Sequence, residues 1–233
     1  MSEPSPDTVS VKTRGLPVEV SVVFAIQMVV VTGLVQLDRV VSLGGALNAL
    51  VGGVFIFLPV LVLDRRGKPY RRYGLAIGAP LVDLLWVSVF SAVFFVPLIF
   101  AAPLFWSHFW NIGEWSFAWP EGYPVAALAH LVVVALPEEY FYRGYIMGRL
   151  DDIFRGRVSV AGAKLGWGFI IQAVLFAVGH FLVDFNPARL AVFFPALAFG
   201  WLRAKRGTIV APVLFHAASN VFMGVLTAGY GFN

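Results

Sequence analysis

Long apolar runs alternate with short polar connections along the chain after residue 16. A helix rises about 1.5 Å per residue, so about 20 apolar residues cross a hydrocarbon core of about 30 Å. Runs of this kind recur, which predicts an all-α fold: a polytopic helical bundle in a membrane, with about seven transmembrane helices. The predicted spans are residues 20–37, 43–63, 81–103, 123–149, 164–183, 188–203 and 208–228.

Composition supports a membrane protein. Hydrophobic residues make up 59% of the chain and charged residues 13%, and the mean hydropathy is +0.82. These values lie outside the range of soluble domains. Cysteine is absent, which excludes disulfides, Cys-ligated zinc and a thiol nucleophile. We expect a polar amino-terminal tail, residues 1–16, followed by one membrane domain, residues 17–233.

The basic residues predict which way the bundle faces. If the tail lies in the cytoplasm, fifteen of the 17 Lys and Arg residues fall on the cytoplasmic side, and only Arg39 and Arg189 fall outside. Such asymmetry follows the positive-inside rule. The sequence therefore predicts a cytoplasmic amino terminus, and the net charge of +4 reflects topology and not nucleic-acid binding.

Three charges interrupt the fourth predicted span. Glu138, Glu139 and Arg143 lie within six residues. A charge at the centre of a lipid-exposed helix costs about 2.5 to 3.5 kcal/mol, so these side chains must face the protein interior or a wet cavity. Glu139 and Arg143 have i, i+4 spacing and are most simply an ion pair. Glu138 is rotated about 100° from Glu139 and is free to face something else.

Two later spans carry further polar residues, again at i, i+4 spacing. His180 follows Phe176, and Asn220 follows His216. A single His in an apolar helix is usually a hydrogen-bonded packing residue. Together with Glu138, however, these side chains supply a carboxylate, two imidazoles and a carboxamide, which can activate water and stabilise an oxyanion.

The order of these motifs resembles the CPBP family of intramembrane proteases, which includes the type II CAAX prenyl endopeptidases and the bacterial Abi proteins. The resemblance covers roughly residues 125–225, within a motif-bearing core of residues 123–228. The motifs are Glu138-Glu139-x-x-x-Arg143, Phe176-x-x-x-His180 and His216-x-x-x-Asn220.

The resemblance implies a role for each motif residue. Glu138 is then the general base for the attacking water, which His180 helps to hold. His216 and Asn220 face the oxyanion, and the supporting residues Glu139 and Arg143 hold the helix in register.

Metal use is left open by the sequence, since family members are often called metalloproteases. If a divalent metal such as zinc is present, Glu138, His180 and His216 are the plausible ligands. We favour a reaction that requires no cofactor, because using both His residues as ligands leaves Asn220 alone for the oxyanion.

The resemblance also implies a protein substrate with a lipidated or membrane-embedded carboxyl-terminal tail, and a bacterial inner membrane as the location. One alternative is processing of carboxyl-terminal sorting tails of exported proteins, as in the myxosortase-like branch. Another is a non-proteolytic scaffold or immunity protein. A further alternative, of another class, is a proton-coupled transporter in which the buried acids and His residues relay protons.

Overall fold

A computed structural model describes residues 15–110, 115–118 and 122–231. The predicted tail, residues 1–16, lies almost entirely outside the described residues. The secondary-structure elements are α1 (Leu16–Val41), α2 (Gly45–Arg65), a 3-10 turn (Tyr70–Tyr73), α3 (Pro80–Trp110), α4 (Tyr123–Ile153), strands β1 (Val158–Val160) and β2 (Ala163–Leu165), α5 (Trp167–Asp184), a second 3-10 turn (Pro187–Val192), α6 (Phe193–Arg206) and α7 (Val210–Gly229).

The predicted all-α membrane bundle is confirmed. Within the described residues, six helices are long and apolar enough to cross a membrane. The sixth predicted span, residues 188–203, is split between the second 3-10 turn and α6, whose 14 residues reach only about 21 Å. The sequence did not predict the hairpin of β1 and β2, which pairs Val158 with Leu165 and occupies the expected start of α5.

Contacts between the connections define the two ends of the bundle. Lys205 at the end of α6 donates to the carbonyl of Ala161 in the hairpin (3.1 Å), and the Ile209 amide donates to Gly74 (3.1 Å). Residues 66–79, the hairpin and residues 203–209 therefore share one end, which we call the basic end. Trp115 donates to the Leu226 carbonyl (3.2 Å) at the opposite end. α6 thus returns the chain to the basic end despite its short length.

A buried ionic network closes the basic end between α1 and α4. The Arg149 guanidinium, 2% exposed, donates to Glu19 (2.8 Å) and to Asp152 (3.2 Å). It also donates to the hydroxyl of Tyr73 (3.3 Å), whose pKa burial raises above its ordinary value. Tyr145 donates to Glu19 from the next turn of α4. These contacts fix the register of α4, which carries the acidic motif.

Candidate active site

Two π-helical segments flank the acidic pair within α4. They are His130–Ala135 and Tyr140–Ile146, and the ordinary helical turn Leu136–Glu139 lies between them. Single π turns inside α-helices often occur at functional sites, because they change which side chains share a face. The two π-helical segments therefore flank Glu138 and Glu139, the residues that charge singles out in the sequence.

Glu139 lies at the centre of a fully buried polar network. Arg143 donates through Nη1 to Glu139 Oε1 (2.9 Å), so the predicted ion pair is present, with both side chains 0% exposed. The Nδ1 of His216 donates to the same oxygen (2.8 Å). Arg143 also donates to the Ala196 carbonyl (3.3 Å). The Glu139 carboxylate thus ties α4 to α7, and the Arg143 guanidinium ties α4 to α6.

Aromatic rings enclose this network. The Arg143 guanidinium lies 4.3 Å from the centre of the Phe176 ring and 5.0 Å from that of Phe199. The His216 ring stacks on Phe199 with centroids 4.8 Å apart and planes 11° apart. Such cation–π and stacking contacts are strongest where water is excluded, so the network is a rigid base for the neighbouring carboxylate.

Glu138 faces away from this network. Its Oε2 lies 3.9 Å from Nε2 of His216, beyond hydrogen-bond distance, and has no hydrogen-bond partner within the described residues. Its side chain keeps 16% exposure, whereas Glu139 has none. The two adjacent glutamates therefore differ in their surroundings: Glu139 is wholly buried and accepts from Arg143 and His216 through Oε1, whereas Glu138 is partly exposed. The Oε2 atoms of both residues are without a hydrogen-bond partner among the described residues.

His180 is held in one tautomer. Its Nδ1 lies 2.9 Å from the carbonyl oxygen of Phe176, which can only accept, so Nδ1 carries the proton. In the neutral ring Nε2 then holds the lone pair. The ring also packs on Phe176 with centroids 4.3 Å apart, as the spacing predicted.

Glu138 and His180 line one cavity of about 230 Å³. Tyr142 and Gly179 lie beside them in its wall. The remaining wall is mostly aliphatic and aromatic, with Asn48 and Arg189 as further polar members, and comprises Met28, Val31, Val35, Leu47, Val51, Phe55, Val133, Val134 and Val183. A carboxylate and an imidazole in a mostly apolar cavity are a plausible site for activating water.

The structure brings together only part of the predicted set at this cavity. His216 touches the acidic pair from behind and does not line the cavity. Asn220, half-buried one turn further along α7, does not line it either. Their predicted contact with an oxyanion stays a prediction.

The metal ligand set suggested by the sequence is not assembled in this arrangement. Nδ1 of His216 is taken by Glu139, and within the described residues no three His, Asp or Glu side chains are placed to hold a metal ion together. The residues present do not fit a three-ligand zinc site. Whether a cofactor is required stays a prediction.

Sequence reasoning missed two kinds of cavity residue. Tyr142 reads as one of many aromatic residues in a membrane helix, and only its position four residues after Glu138 hints that both share a face. Arg189 lies in a connection, and its approach to the cavity depends on the 3-10 turn, for which the sequence gives only the Asn186-Pro187 start.

Comparison with known proteins tests the resemblance. Residues 120–222 match a family model described as type II CAAX prenyl endopeptidase Rce1-like. This segment is similar to that family. It contains all three motifs and the supporting ion pair. The match supports an intramembrane CAAX-type endopeptidase activity in general. It also supports a substrate in or at the lipid bilayer. It does not show whether the chain belongs to the myxosortase-like branch. No curated protein and no solved structure matches the chain.

Proposed function

We propose that this protein is an intramembrane endopeptidase that hydrolyses a peptide bond near the carboxyl terminus of a membrane-associated or lipidated protein. The observation that carries the proposal is the shared cavity of Glu138 and His180, in which each presents an acceptor atom. The Rce1-like match supports the same reaction class.

The two acceptors can orient one water molecule. A water that donates one hydrogen to Glu138 and the other to Nε2 of His180 turns its lone pairs toward the cavity. As the oxygen attacks the carbonyl carbon, Glu138 takes the proton and then passes it to the leaving amine as the carbon–nitrogen bond breaks. This is general acid–base catalysis by one carboxylate.

The network behind Glu138 supports this role. Arg143 is a fixed positive charge beside Glu139, which stabilises that carboxylate and prevents two uncompensated negative charges from lying side by side. His216 links Glu139 to the region of Glu138 and restricts where the latter can move. We propose Glu139, Arg143 and His216 as positioning residues, and we derive no step through a metal.

The test compares cells that carry the native chain with cells that carry Glu138→Gln at equal expression. New carboxyl-terminal peptides are scored in the membrane and secreted proteomes. We expect a set of proteins to lose a tail only when Glu138 is present, and the cut sites identify the substrate class. Identical termini with folded protein would overturn the proposal.

The transporter alternative makes a different prediction in liposomes. Proton flux that persists in Asn220→Ala and disappears in Glu138→Gln would favour a proton relay over hydrolysis. We expect no such flux, because the buried carboxylate Glu139 is held in an ion pair with Arg143 and a hydrogen bond from His216.

A further inference from the structure

The cavity occupies only one half of the bundle. α1 runs away from the basic end, and the residues it contributes, Met28 to Val35, extend from its midpoint into its second half. α2 runs the other way and contributes residues from its first half, Leu47 to Phe55. α5 contributes Gly179, His180 and Val183 near its last turn. The cavity therefore extends from mid-bundle toward the end opposite the basic end.

The basic side of the cavity is closed. None of the described lining residues belongs to residues 66–79, to the hairpin or to residues 203–209. The buried Glu139–Arg143 pair lies on that side of Glu138, and the Arg149 network closes the space between α1 and α4 further on. A substrate thus has its path to Glu138 at the opposite end.

Charge assigns a side of the membrane to each end. The basic end contains most of the 17 Lys and Arg residues, whereas Arg39 and Arg189 lie toward the opposite end. Cytoplasmic connections carry such an excess of Lys and Arg. The end from which the cavity is reached therefore faces away from the cytoplasm.

We propose that the substrate reaches Glu138 from the non-cytoplasmic side and presents an apolar segment to the cavity. This inference rests on the proposed function. The valine-rich wall fits apolar side chains of that segment. Arg189, at the outer rim, uses Nε for Asp184 (3.0 Å), and its terminal nitrogens bond to no described residue. They can therefore bind a carboxylate or an acidic side chain of the substrate.

Because the chain has no cysteine, single cysteines report which side is accessible. Asn48→Cys marks the cavity rim, and Ser159→Cys, in the exposed hairpin, marks the basic end. With a membrane-impermeant maleimide, we expect Asn48→Cys to label in cells whose inner membrane is intact and Ser159→Cys to label only in inverted vesicles. The reverse pattern would overturn the inference.

The proteome comparison separates failure of the inference from failure of the proposed function. Proteins cut only in the presence of Glu138 should be exported proteins, cut in a segment that lies in the membrane or on its non-cytoplasmic side. If the cut proteins are instead cytoplasmic, the chain is still a protease and the inference is wrong. If no protein is cut, the proposed function itself fails.

A second inference rests on a different observation, the hydroxyl of Tyr142. Tyr142 lines the cavity, although the residue is only 1% exposed. Its ring is fixed edge-on against Phe176 (4.9 Å) and Phe141 (5.0 Å). The hydroxyl approaches Gly179 so closely that a Cβ there would lie 2.5 Å from it. Gly179, which has no side chain, therefore leaves room for the Tyr142 hydroxyl.

We infer that the Tyr142 hydroxyl is a catalytic residue that donates a hydrogen bond to the carbonyl oxygen of the scissile bond as negative charge develops. It is an O–H donor in the wall shared by Glu138 and His180, whereas His216 and Asn220 lie outside that wall. A preorganised donor in a site without bulk water stabilises an oxyanion strongly.

Tyr142→Phe tests this role, with Tyr140→Phe as the matched control. The buried hydroxyl of Tyr140, on the same helix, has no hydrogen-bond partner among the described residues and does not line the cavity. We expect Tyr142→Phe to lower kcat about 100-fold with KM and Tm unchanged, and Tyr140→Phe to leave all three unchanged. An unchanged kcat in Tyr142→Phe, or an equal loss in both variants, would overturn the assignment.

Discussion

Glu138 and Glu139 are adjacent in sequence and have opposite surroundings. The Oε1 of Glu139 accepts from Arg143 and His216, and no part of its side chain is exposed. Glu138 lines the cavity and its side chain keeps 16% exposure. A buried carboxylate paired with a guanidinium stabilises structure, whereas a partly exposed carboxylate beside a cavity is available for proton transfer. The division of labour therefore follows from ion pairing and burial, since the residue type is the same.

Substituting each glutamate separately should show which one stabilises the fold and which one is needed for cleavage. Glu139→Gln leaves the buried Arg143 without its counter-ion, and breaking a buried pair costs about 3 to 5 kcal/mol. Glu138→Gln removes only the proton acceptor. We expect Glu139→Gln to lower Tm markedly in detergent, and Glu138→Gln to abolish cleavage with Tm nearly unchanged. A large fall in Tm for Glu138→Gln would contradict this division.

The two His residues in the middle spans provide a matched pair. His180→Gln removes the Nε2 lone pair that faces the cavity, so we expect cleavage to fall by about 10² to 10⁴. His130 lies in α4 but not in the cavity wall, and its Nδ1 has no hydrogen-bond partner among the described residues. His130→Gln should therefore leave the rate unchanged. Equal rates for the two variants would argue against a role for His180.

At the scale of elements, the important feature is α4, where two π-helical segments surround the acidic turn. This helix also packs tightly against the first 3-10 turn. A Cβ built on Gly144 would lie 2.9 Å from the carbonyl oxygen of Tyr73. The motif helix is thus positioned by close backbone contact as well as by the Arg149 network.

Gly144→Ala should loosen this packing. The added methyl group must displace backbone atoms of the 3-10 turn, and overpacking typically costs about 1 to 3 kcal/mol. Gly33→Ala in α1 is the control, because no atom lies within 4 Å of a Cβ at that position. Thermal unfolding in detergent should show a lower Tm for Gly144→Ala alone. Matching Tm values would mean that the 3-10 turn yields without cost.

Sequence periodicity predicted much of this arrangement, for identifiable reasons. Charge in an apolar run located the acidic turn, and i, i+4 spacing predicted the contact of Glu139 with Arg143 and of Phe176 with His180. Spacing within one helix cannot predict which helix lies behind another, so the contact of His216 with Glu139 was not foreseen. The sequence also did not predict the π segments or the hairpin, because each depends on tertiary packing more than on local propensity.

At the scale of the whole molecule, the two ends of the bundle are unlike. The basic end is closed by ion pairs and carries the hairpin, whereas the cavity extends toward the opposite end. Arg189 is the one Lys or Arg residue among the described cavity-lining residues. A single cation near an apolar cavity favours substrates that bring a negative group to the rim.

Arg189→Gln should therefore weaken substrate binding without changing the chemistry. We expect KM to rise about tenfold with kcat unchanged, for a tail whose anionic group meets the rim. Arg39→Gln, at the same end but outside the cavity wall, is the control and should leave KM unchanged. The measurement is steady-state cleavage of a tail peptide in proteoliposomes at several salt concentrations. A fall in kcat instead would place Arg189 in the chemical step.

The short α6 has a consequence for the surrounding lipid. α1, with 26 residues, is about 39 Å long, whereas α5, with 18, is about 27 Å and α6, with 14, about 21 Å. Apolar side chains of α5 and α6, such as Trp167 and Phe194, are exposed. A bilayer accommodates a short hydrophobic segment by thinning. Beside this flank the headgroups come closer together, so a polar peptide bond crosses less hydrocarbon there. Bilayer thickness thus becomes a determinant of how fast a tail is delivered.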